Sequence, residues 1–123
     1  MITRELRTGD LTVISALSGV SRNVLETVLK NALTTIVVED NGVKGFVIVR
    51  RLAGINELTH WHLRPEHSLI LKSIIRRAGE PLAVIEKEGD EERIGMLEDY
   101  GFKKICKKEG IFPDSKAVIL RLG

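Results

Sequence analysis

The spacing of apolar positions switches between a period of two and a period near 3.6 along the chain, and these switches mark its elements. Ile2 to Leu6 alternates apolar and polar, as a short strand does. Leu11, Ile14 and Leu17 recur at helical spacing behind Asp10, a candidate N-cap. Gly19 breaks that helix, and Ser21 caps a second one whose inward stripe reads Val24, Leu25, Val28, Leu29 and Ala32. Thr34 to Glu39 is a β-branched strand, and Gly45 to Arg50 is its return. Between them Asp40-Asn41-Gly42 supplies the positive φ angles of a tight hairpin turn. Both strands are apolar on both faces, as in the middle of a covered sheet.

Arg51 to Gly54 reads as a turn and Ile55 to Leu63 as a strand whose alternation slips. Ile55, Trp61 and Leu63 share one parity and Leu58 has the other, which a β-bulge between Glu57 and Thr59 repairs. After Glu66-His67 a helix opens near Ser68, with Leu71, Ile74, Ile75 and Ala78 inward and Lys72, Arg76 and Arg77 outward. Gly79 ends it. Leu82 to Ile85, opened by Pro81, is apolar throughout and predicts a central strand. Asp90 caps a helix holding Ile94, Leu97 and Tyr100, and Gly101 stands where a left-handed C-terminal cap belongs. Phe102 to Lys107 and Lys116 to Leu122 are the last strands, joined by a loop with Gly110 and Pro113. The predicted core is Leu25, Val28, Val37, Phe46, Ile48, Leu71, Ile75, Val84, Ile85, Leu97 and Phe102.

Composition narrows the picture modestly. The 123 residues fit one domain, 1–123, that can bury a real core. A net charge of +2 with both signs interspersed gives no case for nucleic-acid or membrane affinity. Cys106, the single cysteine, cannot form an internal disulfide. It suits a reducing interior, and its place in an alternating strand predicts packing rather than chemistry. The charged N-terminus does not read as a signal peptide, and no apolar run approaches a membrane span. The expectation is a soluble, cytoplasmic protein.

Chemistry concentrates between Ile55 and Glu80, where a strand end meets a helix start with free backbone N–H groups and a positive dipole end. Glu57, read from the strand alone, is a strand-edge or bulge carboxylate with no chemical role. His60 and His62 share one strand face. A metal would need further ligands from Glu57 and His67, so the reading is a partly exposed histidine pair and no metal. Arg64, His67 and Ser68 are candidates for phosphate contact, against a plain solvated turn. Trp61 reads as core. Arg50-Arg51, Arg76-Arg77 and Lys103-Lys104 read as solvated surface. From another class, Leu11 to Asn31 has the local pattern of a helix-turn-helix, with Ser21, Arg22 and Asn23 at a helix start. The flanking strand and hairpin and the absence of a basic excess count against DNA binding.

The element order and length resemble the GCN5-related N-acetyltransferases. Two stretches carry the resemblance. Glu91 to Phe102, EERIGMLEDYGF, is similar to the family's penultimate helix, and Glu57 to Pro65, ELTHWHLRP, to its fourth strand. The resemblance implies an α/β fold with a splayed, mostly antiparallel mixed sheet and helices on both faces. It implies acyl transfer from acetyl-CoA to an amine of a small molecule or protein. Glu57 would be the base, with His60 and His62 as further catalytic candidates. Backbone N–H groups near Leu63 would hold the thioester oxygen. Arg64, His67 and Ser68 would bind the cofactor, which enters between the strands at 55–63 and 81–86.

Two family signals are missing. The pyrophosphate loop, Arg/Gln-x-x-Gly-x-Gly/Ala in the family, stands here as Glu66-His67-Ser68-Leu69-Ile70-Leu71, without glycine. The usual tyrosine acid falls on Leu97. These departures favour a second expectation, an acetyltransferase-like module that binds without catalysing.

Overall fold

The computed structural model describes residues 2–52, 54–78 and 81–123, and at 52, 77 and 78 only the backbone. In chain order its elements are β1 (Ile2–Arg4), α1 (Leu11–Ser18), α2 (Arg22–Leu29), β2 (Thr34–Glu39), β3 (Val43–Leu52), β4 (Ile55–His62), α3 (Ser68–Ala78), β5 (Leu82–Lys87), α4 (Glu91–Asp99), β6 (Lys103–Lys108) and β7 (Ala117–Leu122). Short 3-10 turns at Thr8–Asp10 and Pro65–His67 lead into α1 and α3. The strands form one mixed, mostly antiparallel sheet in the order β1-β2-β3-β4-β5-β7-β6. β4 and β5 run parallel through Asn56↔Leu82 and Glu57↔Ala83, while β1–β2, β2–β3, β5–β7 and β6–β7 are antiparallel. The chain divides into two compact units, residues 2–51 with Leu58–Arg64, and Leu52–Glu57 with Pro65–Gly123.

In the first unit Leu11 and Ile14 of α1, Leu25 of α2, Val37 of β2 and Phe46 and Ile48 of β3 form one buried cluster. The helices of 11–29 therefore lie on the sheet and do not project as a free helix-turn-helix. Gly19 ends α1 in the left-handed region, φ 72°, and Ser21 Oγ accepts from the Val24 N–H to start α2. Val24 itself is 48% exposed, contrary to the predicted stripe. Leu25, Val28, Leu29 and Ala32 already fill the i, i+3, i+4, i+7 face, and Val24 falls at its margin. Val28 is half-buried.

Asp10 holds the N-cap position of α1, but its carboxylate makes no cap bond there. It closes the preceding 3-10 turn instead, accepting from the Arg7 N–H at 2.8 Å and from both Arg4 guanidinium nitrogens at 2.8 and 2.7 Å. The β2–β3 hairpin turns through Asn41 and Gly42, both at positive φ. β3 runs on through Arg51 and Leu52, so the expected turn at Arg51–Gly54 is shorter than predicted. Gly54 has φ 84°, and Ala53 lies outside the described residues.

The slip along β4 falls between Leu58 and Trp61. Asn56 and Leu58 are buried at one parity, Trp61 and Leu63 at the other. Trp61 is core, as expected. At the strand's start the reading is reversed: Ile55 faces solvent and Asn56 faces inward.

In the second unit β5 pairs with β7 from Leu82↔Leu122 to Lys87↔Ala117, which puts Leu82, Val84, Leu120 and Leu122 on one face. α4 covers that face, with Ile94, Leu97 and Tyr100 buried and Arg93 Nε 3.2 Å from Glu86 of β5. Asp90 stands at the α4 N-cap without a side-chain bond. At the C-terminus the Phe102 N–H donates to Leu97 O at 3.0 Å and the Gly101 N–H to Glu98 O at 2.9 Å. This is the Schellman pattern, with Gly101 at φ 106° and buried Phe102 behind it. Phe102 therefore precedes β6 rather than opening it.

In α3, Leu71 and Ile74 are buried, Ile75 is half-buried, and Lys72 and Arg76 are exposed. Gly79, expected to end the helix, lies outside the described residues, as do the side chains of Arg77 and Ala78. Ile85 is half-buried rather than core. Cys106 is exposed, contrary to the packing expectation, because β6 is an edge strand exposed at every position.

Candidate functional site

β4 presents the candidate residues in alternation. Glu57 is half-buried, its backbone held against Ala83 of β5. His60 and His62 are half-buried on one parity, with Trp61 and Leu63 buried on the other. Pleating puts the imidazoles on the face opposite Trp61 and Leu63. Thr59 Oγ1 donates to the carbonyl of Ile48 at 3.0 Å, anchoring this stretch to β3. Arg64 follows, exposed, and then the 3-10 turn.

In that turn His67 is 4% exposed. It was a candidate for phosphate contact, but its ring is packed inside rather than offered to solvent. Ser68, the first residue of α3, is half-buried, and Leu69 is 72% exposed where the family has its first loop glycine. Ile70 and Leu71 are buried. The β4–α3 connection is thus a compact 3-10 turn feeding an apolar helix. The start of α3 is anion-directed through its dipole, with Ser68 as its first side chain. The dipole at this helix start and Ser68 suit an anion, while Leu69, Ile70 and Leu71 stand where a phosphate loop would carry glycine.

Leu97 is fully buried at the position where the family commonly has its tyrosine acid. Tyr100 is buried one helical turn on. Burial, and then the negative charges of Glu66 and Asp99, push its phenol up to about 12. A group so placed holds its proton through the neutral range. Among the described residues no group of three or more histidine, cysteine, aspartate or glutamate side chains has the geometry to hold a metal ion. No described helix is long and apolar enough to cross a membrane.

Two polar features escaped the sequence reading. The Arg4–Asp10–Glu39 network was hidden because its members lie on separate elements. Asn56, buried in β4, was signalled only by the slip in alternation.

No protein-family model and no curated protein sequence matches the chain. Solved structures do. Ard1 from Thermoplasma volcanium superposes with a TM-score of 0.80 at 12% identity, covering 98% of this chain and 95% of that one. The ribosomal-protein-S18-alanine N-acetyltransferase from Escherichia coli gives 0.77 at 14% identity, over 98% and 92%. A GNAT family acetyltransferase from Elizabethkingia anophelis with acetyl-CoA bound gives 0.77 at 11% identity, over 98% and 96%. At such identities the likeness is one of backbone architecture, and it extends over nearly the whole chain. The chain has the fold of the GCN5-related N-acetyltransferase superfamily.

Proposed function

We propose that the protein is an acyl-CoA-dependent N-acyltransferase acting on an amine. The observation that carries this reading is the near-complete coverage of the chain by structures named as N-acetyltransferases, one of them with acetyl-CoA bound. Fold alone does not fix function, so the roles rest on residues.

Acyl-CoA, when bound, supplies an acyl group activated as a thioester. Glu57, half-buried on β4, accepts the proton that the attacking amine must lose, directly or through one water. His60 and His62 are the next bases in line. The backbone N–H near Leu63 is the candidate donor to the thioester oxygen. The first turn of α3, with Ser68, is the candidate seat for the pyrophosphate, and Arg64 is a candidate counter-charge for phosphate. With Leu97 at the usual tyrosine position and Tyr100 held protonated, no side chain of α4 is assigned as general acid. The proton for the thiol leaving group would then come from solvent rather than from this helix.

The test is acyl transfer from acetyl-CoA to a panel of amines and peptide N-termini, read as free thiol released. Turnover with one amine class, lost in Glu57→Gln while acetyl-CoA binding persists, supports the assignment. An unchanged rate in Glu57→Gln moves the base to His60 or His62. A second reading, a binding module without turnover, is favoured by the absence of glycine from the loop and by buried Leu97. Acetyl-CoA binding with no transfer to any acceptor would select it.

A further inference from the structure

We infer that the side-chain amide of Asn56 is an internal water-binding site at the start of the parallel β4–β5 pairing. Asn56 is 1% exposed, and neither its Oδ1 nor its Nδ2 has a hydrogen-bond partner among the described residues. Its backbone is engaged, the N–H donating to the carbonyl of Pro81 at 3.1 Å, so the orphaned group is the amide alone.

A carboxamide brings two donors and an acceptor oxygen into the interior. Buried groups of this kind are almost always paired, with protein or with ordered water. An end-for-end flip of the amide exchanges nitrogen and oxygen, yet both lack partners, so a flip cures nothing. The missing partner must both donate and accept.

The surroundings fix its class. Asn56 pairs with Leu82, which pairs with Leu122, and the next positions on that face are Val84 and Leu120. Side chains in register across a sheet share a face, so these residues are apolar neighbours of the amide. Glu86, the next β5 residue on the face, is already engaged by Arg93. An ion would lack a counter-charge among these residues and would be costly to bury. A small neutral molecule with donor and acceptor capacity meets the requirement, and that molecule is water. The Pro81 carbonyl keeps a second lone pair and is a natural further partner.

The inference goes beyond acyl transfer and is tested without cofactor, acceptor or turnover, so either can fail alone. Water oxygen-17 relaxation dispersion on the full chain counts long-lived internal waters. The wild type should show at least one that Asn56→Leu lacks, the leucine filling a similar volume without polar atoms. A high-resolution crystal structure should show a water about 3 Å from Oδ1 or Nδ2. An unchanged dispersion in Asn56→Leu would overturn the site. So would an amide found bonded to a protein group, or one with no water beside it. If Asn56→Leu does not fold, the wild-type crystal structure decides by itself.

Discussion

The Asp10 carboxylate accepts from the Arg7 N–H and from two nitrogens of Arg4, while Arg4 also reaches Glu39 at 3.0 Å. Asp10 is mostly buried, so these bonds are only weakly exposed to competing water. The Arg4 bonds above all hold the Asp10 carboxyl below its usual range, despite the opposing effect of burial. Asp10→Asn keeps the shape and loses the charge. It should cost about 1–3 kcal/mol at neutral pH, as expected when hydrogen bonds to a charged group are lost. The sign with pH follows from linkage. A depressed folded-state pKa stabilises above the unfolded value, and that gain disappears as pH falls below about 4. Urea unfolding of wild type and variant should therefore show a gap at pH 7 that closes toward pH 3; a constant gap would contradict the ion-pair account. Tyr100 has the opposite sign of shift. Its phenol is raised to about 12 by burial first, so the stability it contributes is complete below about 10 and is lost as pH climbs toward 12. Phenolate absorbance appearing near pH 10 in folded protein would refute its burial.

At the scale of elements, the end of α4 is the clearest case of sequence dictating backbone. Gly101 sits at φ 106°, and a Cβ there would lie 3.2 Å from Leu122 Cδ1. Gly101→Ala should cost about 1–3 kcal/mol through left-handed strain and the crowding of Leu122. A change in denaturation midpoint too small to resolve would argue against this cap. Phe46, fully buried against α1 and α2, should cost about 3–5 kcal/mol when cut to alanine. Gly101-Phe102 and Asn41-Gly42 were legible because turn chemistry is local: a positive φ needs glycine or asparagine wherever it occurs. The strands and most of the buried stripes were legible from period alone. What was not legible depended on partners distant in sequence. Cys106 alternates like a core residue, but only the strand order reveals that β6 is an edge. Ile55 and Asn56 were assigned to the wrong faces because the apolar residue was taken to mark the inside. His67 looked like a polar turn residue and is packed within the 3-10 turn. The role of Glu57 was read from resemblance and that of His60 and His62 from their shared strand face, and all three remain part of the proposal.

For the molecule as a whole, fold and residues make opposite demands on the cofactor. The architecture is similar to that of an acetyltransferase structure with acetyl-CoA bound, and the start of α3 offers a positive dipole end to an anion. Against this, Leu69, Ile70 and Leu71 carry side chains where a glycine-containing loop would let phosphate oxygens come within about 3 Å of the backbone. A 3-10 turn, Pro65–His67, makes up the connection before them. The two effects do not cancel. A dipole attracts over several ångströms but gives little without close hydrogen bonds, and the exposed Leu69 side chain stands in the way of close approach. Acetyl-CoA should therefore bind weakly, with a dissociation constant of roughly 100 µM or above, about 5.5 kcal/mol of binding free energy or less. Leu69, mostly exposed, can be changed without opening the core. Leu69→Gly should tighten binding several-fold, at a stability cost of about 1 kcal/mol or less for glycine in a first helical turn. Calorimetry on both proteins decides. Low-micromolar affinity in the wild type would show that the turn binds phosphate without glycine. No gain in Leu69→Gly would show that something other than the Leu69 side chain limits access to the start of α3.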